Sequence, residues 1–392
     1  MGNRKKIVLM GATGSIGTSA LKVIRHHRDK LELVGIAANT DAARLATIAE
    51  EFSVNEVCLF DANAHSQARE NALFSAETKL SSGLDGLKRL ASLASCDTVF
   101  IAVVGTQGLL PSLAAIEAGK NLAIASKEIL VLAGKFIMEA AKRQGVSILP
   151  VDSEHNALFQ CLQSVPHDHV SKVILTASGG SFRDTPVEQL GSVSLEQALQ
   201  HPNWDMGPKV TIDSATMANK GLEMIEASWL FEMAPEQVDV VIHTQSIVHS
   251  LVECIDGSVI AQMSPPDMTF AIQHSLLFPD RAENVSPKLD FRQPIQLDFR
   301  PPDLDRYPCL KLARECLREG GIAPGIFNAA NEIAVDAFIQ DRIKFVEISK
   351  IVEKTLEFIE NKEPNSIEEV LKYDKEARSV ASRLIDSPQQ AL

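Results

Sequence analysis

Lys5-Lys6-Ile7-Val8-Leu9-Met10-Gly11-Ala12-Thr13-Gly14-Ser15-Ile16-Gly17 decides the fold of this chain. Lys5 to Met10 is a short β-rich run, three glycines follow it, and a helical stretch runs from about Thr18 to His27. Strand, glycine turn and helix in that order put small residues where a backbone approaches a pyrophosphate at a helix N-terminus. The spacing is G-x-x-G-x-x-G, and no Gly-Lys-Ser/Thr ends it, so it is not a P-loop. A glycine loop alone also occurs as a plain tight turn. Here strands at Glu32 to Ala38, Glu56 to Phe60, Asp97 to Val104, Leu122 to Ala125 and Ser147 to Val151 alternate with helices at Ala42 to Glu51, Ala64 to Leu73, Leu110 to Ala118 and Ala133 to Gln144. That alternation predicts an α/β fold whose first domain, residues 1–151, is a Rossmann-like, doubly wound parallel sheet.

Composition bounds what surrounds this domain. A chain of 392 residues, 45% hydrophobic and 23% charged, is too long for one core, so two or three domains are expected. A net charge of −13 argues against non-specific nucleic-acid binding, which needs basic surface to displace counterions. Six cysteines without a C-x-x-C pair read as reduced core thiols. No apolar run approaches the roughly 20 residues of a spanning helix. Ile7 to Met10 is too short for a signal h-region, and Lys6 breaks the myristoylation pattern at Gly2, so a cytoplasmic protein without membrane or nucleic-acid partners is expected.

At the end of the second strand, Ala38-Asn39-Thr40 offers no carboxylate to a ribose 2′-hydroxyl, and Arg44 follows one turn later. That favours NADP over NAD, with Asp41 as the contrary feature. After the last strand of the first domain, Asp152 and Glu154 alternate onto one side, about 6.5 to 7 Å apart along the chain, where such sheets bind ligands. The same acids equally suit a solvated loop or a helix N-cap. Lys172 to Thr176 reads as another strand, followed by Ala177-Ser178-Gly179-Gly180-Ser181, a turn whose amides can cradle a phosphate or simply make a hairpin.

His201-Pro202-Asn203-Trp204-Asp205-Met206-Gly207 reads as a mobile aromatic lid. The helix beyond it is capped by Asp213 or Ser214, and the amides of its first turn form an anion site. Asn219, Lys220 and Glu223 share one face, and Met217, Gly221, Met224, Ile225 and Trp229 form a core-like stripe. The polar face belongs either to a phosphate and metal site or to a plain surface helix with a Lys–Glu pair. Asp152, Glu154 and Glu223 together offer the oxygen ligands preferred by Mg²⁺ or Mn²⁺ rather than zinc.

The chain resembles the 1-deoxy-D-xylulose 5-phosphate reductoisomerase family over nearly its whole length. The resemblance rests on GATGSIG (11–17), ASKE (125–128), PVDSEH (150–155), TASGGSF (176–182), HPNWDMG (201–207), IDSATMANKGLE (212–223), IHTQSIVHS (242–250), SPPDM (264–268) and NAANE (328–332). It implies NADPH-dependent conversion of 1-deoxy-D-xylulose 5-phosphate to 2-C-methyl-D-erythritol 4-phosphate for isoprenoid synthesis, with Mn²⁺, Mg²⁺ or Co²⁺, in a homodimer. It implies Thr13, Gly14, Ser15, Ile16, Asn39, Thr40, Ser126, Glu128 and Gly207 on the cofactor, and Asp152, Glu154 and Glu223 on the metal. Lys127, Ser153, Glu154, Ser178, His201, Ser214, Asn219 and Lys220 fall to the substrate, with Ser178, Ser214, Asn219 and Lys220 on its phosphate. Trp204 is the closing lid, and His249, Pro266 and Met268 neighbour the pocket. Lys127, Asp152, Glu154, His201 and Glu223 carry the chemistry. Four places depart from the family pattern: Ser126 and Asp41 stand where Asn is usual, Thr244 replaces a Pro, and Thr269-Phe270 replaces Arg-Thr.

The remaining boundaries follow from composition. Residues 152–290 are expected to form a middle α/β catalytic domain, whose strands Ser246 to Glu253 and Ser258 to Met263 suit a dimer interface. Residues 291–312 are expected to be a proline-rich linker, and residues 313–392 a helical bundle with a Ser366–Glu369 capping box. Two other functions share parts of this pattern. A homoserine-dehydrogenase-like reductase needs no Trp204 or phosphate cluster, and a nucleotide-sensing scaffold needs no turnover.

Overall fold

Ile7, Val8, Leu9 and Met10 are all fully buried, as a central parallel strand covered on both faces must be. In this computed structural model, which describes residues 4–387, they form β1 (Lys5–Met10). Gly2 and the outermost ends of the expected first and last domains lie outside the described residues. The chain continues through α1 (Ser15–His26), β2 (Leu31–Ala38), α2 (Ala42–Phe52), β3 (Glu56–Leu59), α3 (Ala62–Glu70), β4 (Lys79–Ser82), α4 (Gly83–Ala91), β5 (Thr98–Ile101), α5 (Leu109–Glu117), β6 (Asn121–Ile124), α6 (Glu128–Gln144) and β7 (Ile148–Pro150). Seven parallel strands lie in the order β4-β3-β2-β1-β5-β6-β7. The order turns back between β1 and β5, the switch point at which such sheets take ligands. β4 and α4 were not foreseen because Lys-Leu-Ser-Ser is a short, polar edge strand without apolar alternation. α1 begins at Ser15, ahead of the expected Thr18, because Gly14 already adopts an extended N-cap conformation.

The described residues divide into two compact units: residues 4–129, 137–156 and 267–288 form the first, and residues 130–136, 157–266 and 289–387 the second. The first unit is therefore completed by chain from far downstream. That returning segment carries α11 (Thr269–Leu277), which packs on α1 and β7. Lys5 Nζ donates to the carbonyls of Leu276 and Phe278, each at 2.9 Å, satisfying the end of α11 where its last carbonyls lack helical partners. His27 Nε2 lies 2.9 Å from Gln273 Oε1. Ser275 Oγ and Asn156 Nδ2 both donate to the Pro150 carbonyl, at 2.5 and 2.9 Å, so α11 steadies the end of β7.

α7 (Ser153–Leu162) leads to the second unit, with β8 (Val170–Ala177), α8 (Leu195–Ala198), α9 (Pro208–Thr216), α10 (Ala218–Phe231), β9 (Val238–Ile242), β10 (Val248–Cys254) and β11 (Val259–Met263). Its strands are ordered β11-β10-β8-β9, with β8 and β9 parallel and the other pairs antiparallel. α12 (Pro308–Glu319), α13 (Ala323–Ile339), α14 (Glu347–Phe358) and α15 (Ile367–Asp386) follow. α12 starts inside the stretch expected as linker, since Pro308 is preset for a first helical position. Ile212, Leu222 and Ile225 of α9 and α10 share one core with Phe327, Ala330, Ala334 and Val352 of α13 and α14. The Ser366–Glu369 capping box is only half formed: Ser366 caps the Glu369 amide, but Glu369 Oε2 accepts from Asn365 N–H instead. A reciprocal box forms at Ser194 and Gln197. All six cysteines are free thiols, five of them buried. Among the described residues no helix is long and apolar enough to cross a membrane.

Candidate active site

In the first unit, Gly11 holds φ +86°, and a Cβ there would sit 2.2 Å from the Ala102 carbonyl oxygen, so only glycine lets the loop leave β1 this closely. Gly14, Ser15, Asn39 and Thr40 are exposed around the start of α1. Arg44 Nη1 donates to the Thr13 carbonyl at 2.9 Å and Nη2 to Thr18 Oγ1 at 2.7 Å, so its guanidinium lies against the glycine loop. Asp41 caps α2 by accepting from the Arg44 amide at 3.1 Å. The contrary carboxylate is thus engaged by its own helix. Ser126, buried, donates to the Val103 carbonyl, and Glu128 opens α6.

At the end of β7, Asp152 Oδ1 accepts from the Glu154 amide at 3.1 Å, capping α7. Lys127 Nζ lies 2.9 Å from Asp152 Oδ2, and His155 Nδ1 is 3.1 Å from Oδ1. Ser153 Oγ donates to Glu154 Oε2 at 2.6 Å. A carboxylate oxygen of Asp152 and one of Glu154 lie within 4.8 Å of one another. Cap and acid pair therefore coexist. Oxygen donors at this spacing fit a hard divalent cation, and His155 oriented onto Asp152 is an outer support the sequence reading passed over.

In the second unit, Ser178 and His201 come together. His201 Nδ1 accepts from the amides of Asn203 and Trp204 at 3.2 and 3.0 Å, which leaves its proton on Nε2, donated to Ser178 Oγ at 2.9 Å. Ser178 Oγ in turn accepts from the Gly180 amide at 3.2 Å. Burial, helped by the Arg183 guanidinium, pushes His201 down from 6.5 to about 4. Between those values the unfolded chain binds a proton that the folded loop refuses. Stability is thus full above 6.5 and is withdrawn as pH falls toward 4. An NMR titration of His201 is expected to show a midpoint near 4, with the Trp204 fluorescence changing in the same window. A midpoint near 6.5 would contradict this network.

Asn203 Nδ2 donates to the Thr244 carbonyl at 2.6 Å and to Ser246 Oγ at 2.8 Å, and Trp204 meets His249 edge-on at 6.2 Å. The Thr244 departure leaves this contact available, because it uses the backbone carbonyl. Thr269 also finds a partner, its Oγ1 lying 3.0 Å from Ser286 Oγ in the first unit. Arg183, which donates to the Ser178 carbonyl at 3.1 Å, and Asn203 were missed, since arginines and asparagines in loops carry no spacing signal.

One expectation about the helix is corrected, and one of its two open readings is excluded. Asp213 and Ser214 do not cap it: they lie inside α9, and Ser214 Oγ donates back to the Val210 carbonyl at 3.0 Å. The break falls at Met217, which takes the left-handed conformation (φ +61°), and Thr216 Oγ1 accepts from the Ala218 amide at the start of α10. Nor is α10 a surface helix: Lys220 and Glu223 are 4% and 1% exposed. Glu223 Oε1 accepts from Asn219 Nδ2 at 2.5 Å, and Oε2 pairs with Lys220 Nζ. Of the expected core stripe, Met217, Met224 and Ile225 are buried while Trp229 is 37% exposed.

A glycine loop at the switch point of a parallel sheet, in a chain whose second unit encloses amine and carboxyl side chains, defines a dinucleotide-dependent oxidoreductase with a polar reaction site. Residues 7–134 match the family model described as 1-deoxy-D-xylulose 5-phosphate reductoisomerase, 148–231 that for its C-terminal domain, and 263–380 that for a DXP reductoisomerase C-terminal domain. The chain belongs to the 1-deoxy-D-xylulose 5-phosphate reductoisomerase family. The reductoisomerase of Chlorobium chlorochromatii is 47% identical over 381 residues, covering 97% of this chain and all of its own. That of Zymomonas mobilis, solved in complex with NADPH, superposes with a TM-score of 0.91 at 42% identity, covering 98% and 100% of the two chains. A DOX-P reductoisomerase solved with NADPH, fosmidomycin and magnesium gives 0.92 at 40% identity, covering 99% and 100%. Family membership on this scale decides against the homoserine-dehydrogenase-like alternative.

Proposed function

We propose that this chain carries out a metal-dependent rearrangement of 1-deoxy-D-xylulose 5-phosphate and its NADPH-dependent reduction to 2-C-methyl-D-erythritol 4-phosphate. The observation that carries this reading is the buried Asn219–Lys220–Glu223 face: an amine and a carboxyl side chain enclosed together, away from solvent, mark a candidate functional site. Asp152, Glu154 and Glu223 would hold the cation. Bound there, it would supply Lewis acidity and a template for the ketone and its neighbouring hydroxyl.

Thr13, Gly14, Ser15 and Ile16 receive the NADPH pyrophosphate on the amides opening α1, and Asn39 and Thr40 take the adenosine end, with Arg44 close by for its 2′-phosphate. Ser126, Glu128 and Gly207 complete the nucleotide contacts. Ser178, Ser214, Asn219 and Lys220 hold the substrate phosphate, which orients the carbons remote from it. Ser153 adds a further substrate contact. His201, kept neutral, fixes the Ser178 hydroxyl through Nε2–H and anchors the Trp204 backbone, so that Trp204 closes over the substrate and excludes water. Lys127 serves as an electrostatic helper beside Asp152, with which it pairs at 2.9 Å. A homodimer built on the exposed edge strand β11, a cytoplasmic location suited to six free thiols, and manganese in place of magnesium belong to the same proposal.

Following NADPH absorbance with 1-deoxy-D-xylulose 5-phosphate, with and without Mn²⁺ or Mg²⁺, tests it: oxidation only with both substrate and cation is expected, and its absence when substrate is present with Mn²⁺ and with Mg²⁺ would sink the reading. Lys220→Ala is expected to raise the KM for the phosphorylated substrate by about tenfold to a hundredfold, the worth of a charge-assisted hydrogen bond. The KM for NADPH is expected to stay near its original value. An unchanged substrate KM would remove Lys220 from the phosphate site.

A further inference from the structure

Asp213 is a buried carboxylate that the proposed chemistry does not use, and Asn-Ala-Ala-Asn-Glu (328–332) is a motif still without a role. The structure joins them. Asp213 is 1% exposed and Asn331 fully buried, and Asn331 Nδ2 of α13 donates to Asp213 Oδ1 at 2.8 Å. Lys209 Nζ, one turn earlier on α9, lies 2.8 Å from Oδ2. The carboxylate is therefore tied both within its own helix and to the C-terminal helices. Leaving it unpaired would strand a buried charge.

What hangs on α9 gives this tie its meaning. Ser214 is the next residue. Gly180, two residues after Ser178, runs so close to α9 that a Cβ would lie 2.5 Å from the Ser214 carbonyl oxygen and from Ala215 Cα. Beyond Thr216, α10 starts through the left-handed Met217, a conformation a non-glycine residue keeps only where its surroundings over-determine it. The Ser178 turn, Ser214 and the first turn of α10 with Asn219 and Lys220 thus all take their position from α9.

We infer that Asn331 is a positioning residue for the phosphate-binding groups: by pinning Asp213 it fixes α9, so that Ser214 and the start of α10 meet the phosphate already in place. This rests on the proposed assignment of Ser178, Ser214, Asn219 and Lys220 to the phosphate. Without the pin, those groups must be ordered at the expense of binding.

The test compares the full-length enzyme with Asn331→Ser, Asn331→Leu and Ser214→Ala, measuring kcat, both KM values, melting temperature and the Ki of inorganic phosphate competing with 1-deoxy-D-xylulose 5-phosphate. Both Asn331 variants are expected to raise the substrate KM and the phosphate Ki by about tenfold, the effect of losing one charge-assisted hydrogen bond, with the NADPH KM unchanged and kcat little altered. A lowered melting temperature with an unchanged phosphate Ki would overturn the positioning role, as would loss of NADPH binding together with substrate. Ser214→Ala separates the two layers. No effect of that variant on the phosphate Ki defeats the phosphate assignment itself, whereas an effect there with none in the Asn331 variants defeats only the pin.

Discussion

Glu223→Gln is expected to lower kcat by about a thousandfold, since a cation's Lewis-acid contribution of several kcal/mol is lost with its ligand. NADPH affinity is expected to stay nearly intact. The substitution keeps the size of a side chain that is 1% exposed and still offers Lys220 a carbonyl oxygen, so it removes chiefly the charge. It also sets an amide against Asn219 Nδ2, which now donates to a carboxylate oxygen. A purely structural disturbance and a lost metal ligand differ in one respect: only the second is partly relieved by raising Mn²⁺. Turnover within tenfold of the parent, measured by NADPH absorbance at saturating cation, would remove Glu223 from the metal site.

Gly180→Ala is expected to destabilise the protein by about 2 to 5 kcal/mol, combining a left-handed backbone that costs a non-glycine residue about 1–2 kcal/mol with overpacking of about 1–3 kcal/mol. Gly180 has φ +72°, and the added methyl would meet backbone atoms of Ser214 and Ala215 rather than a flexible side chain, so neither neighbour can turn aside. Denaturant unfolding measures the loss, and a midpoint unchanged to within about 0.5 kcal/mol would refute the close approach. The surviving folded protein is expected to bind substrate less well, because the Ser178 turn is displaced from α9.

The parallel sheet was legible because its central strands are continuous apolar runs and its first turn is spelled out in glycines. β4 and α4 were not, because an edge strand of Lys-Leu-Ser-Ser buries too little to show a pattern. The polar residues of the site were legible as a set. Their burial was not: Asn219, Lys220 and Glu223 fall at intervals that suit a surface ion pair equally well, and only the packing of α9, α10 and α13 into one core shows them enclosed. The capping assignment for Ser214 failed because the break at Met217 leaves no local signature. Methionine is an unusual choice for a left-handed residue, held there by tertiary contacts rather than by its own preference.

The discontinuity of the first unit bears on how the chain is made. The nucleotide-binding sheet is spelled out by the earliest residues, yet Lys5 and His27 find their partners in residues 273–278. Emerging from a ribosome, the first unit must wait, with the α1 face meant for α11 uncovered, while more than a hundred residues of the second unit are synthesised. The part of the chain that is written first is finished only after residue 288 has been delivered, so its incomplete packing surface is open to chaperones during synthesis.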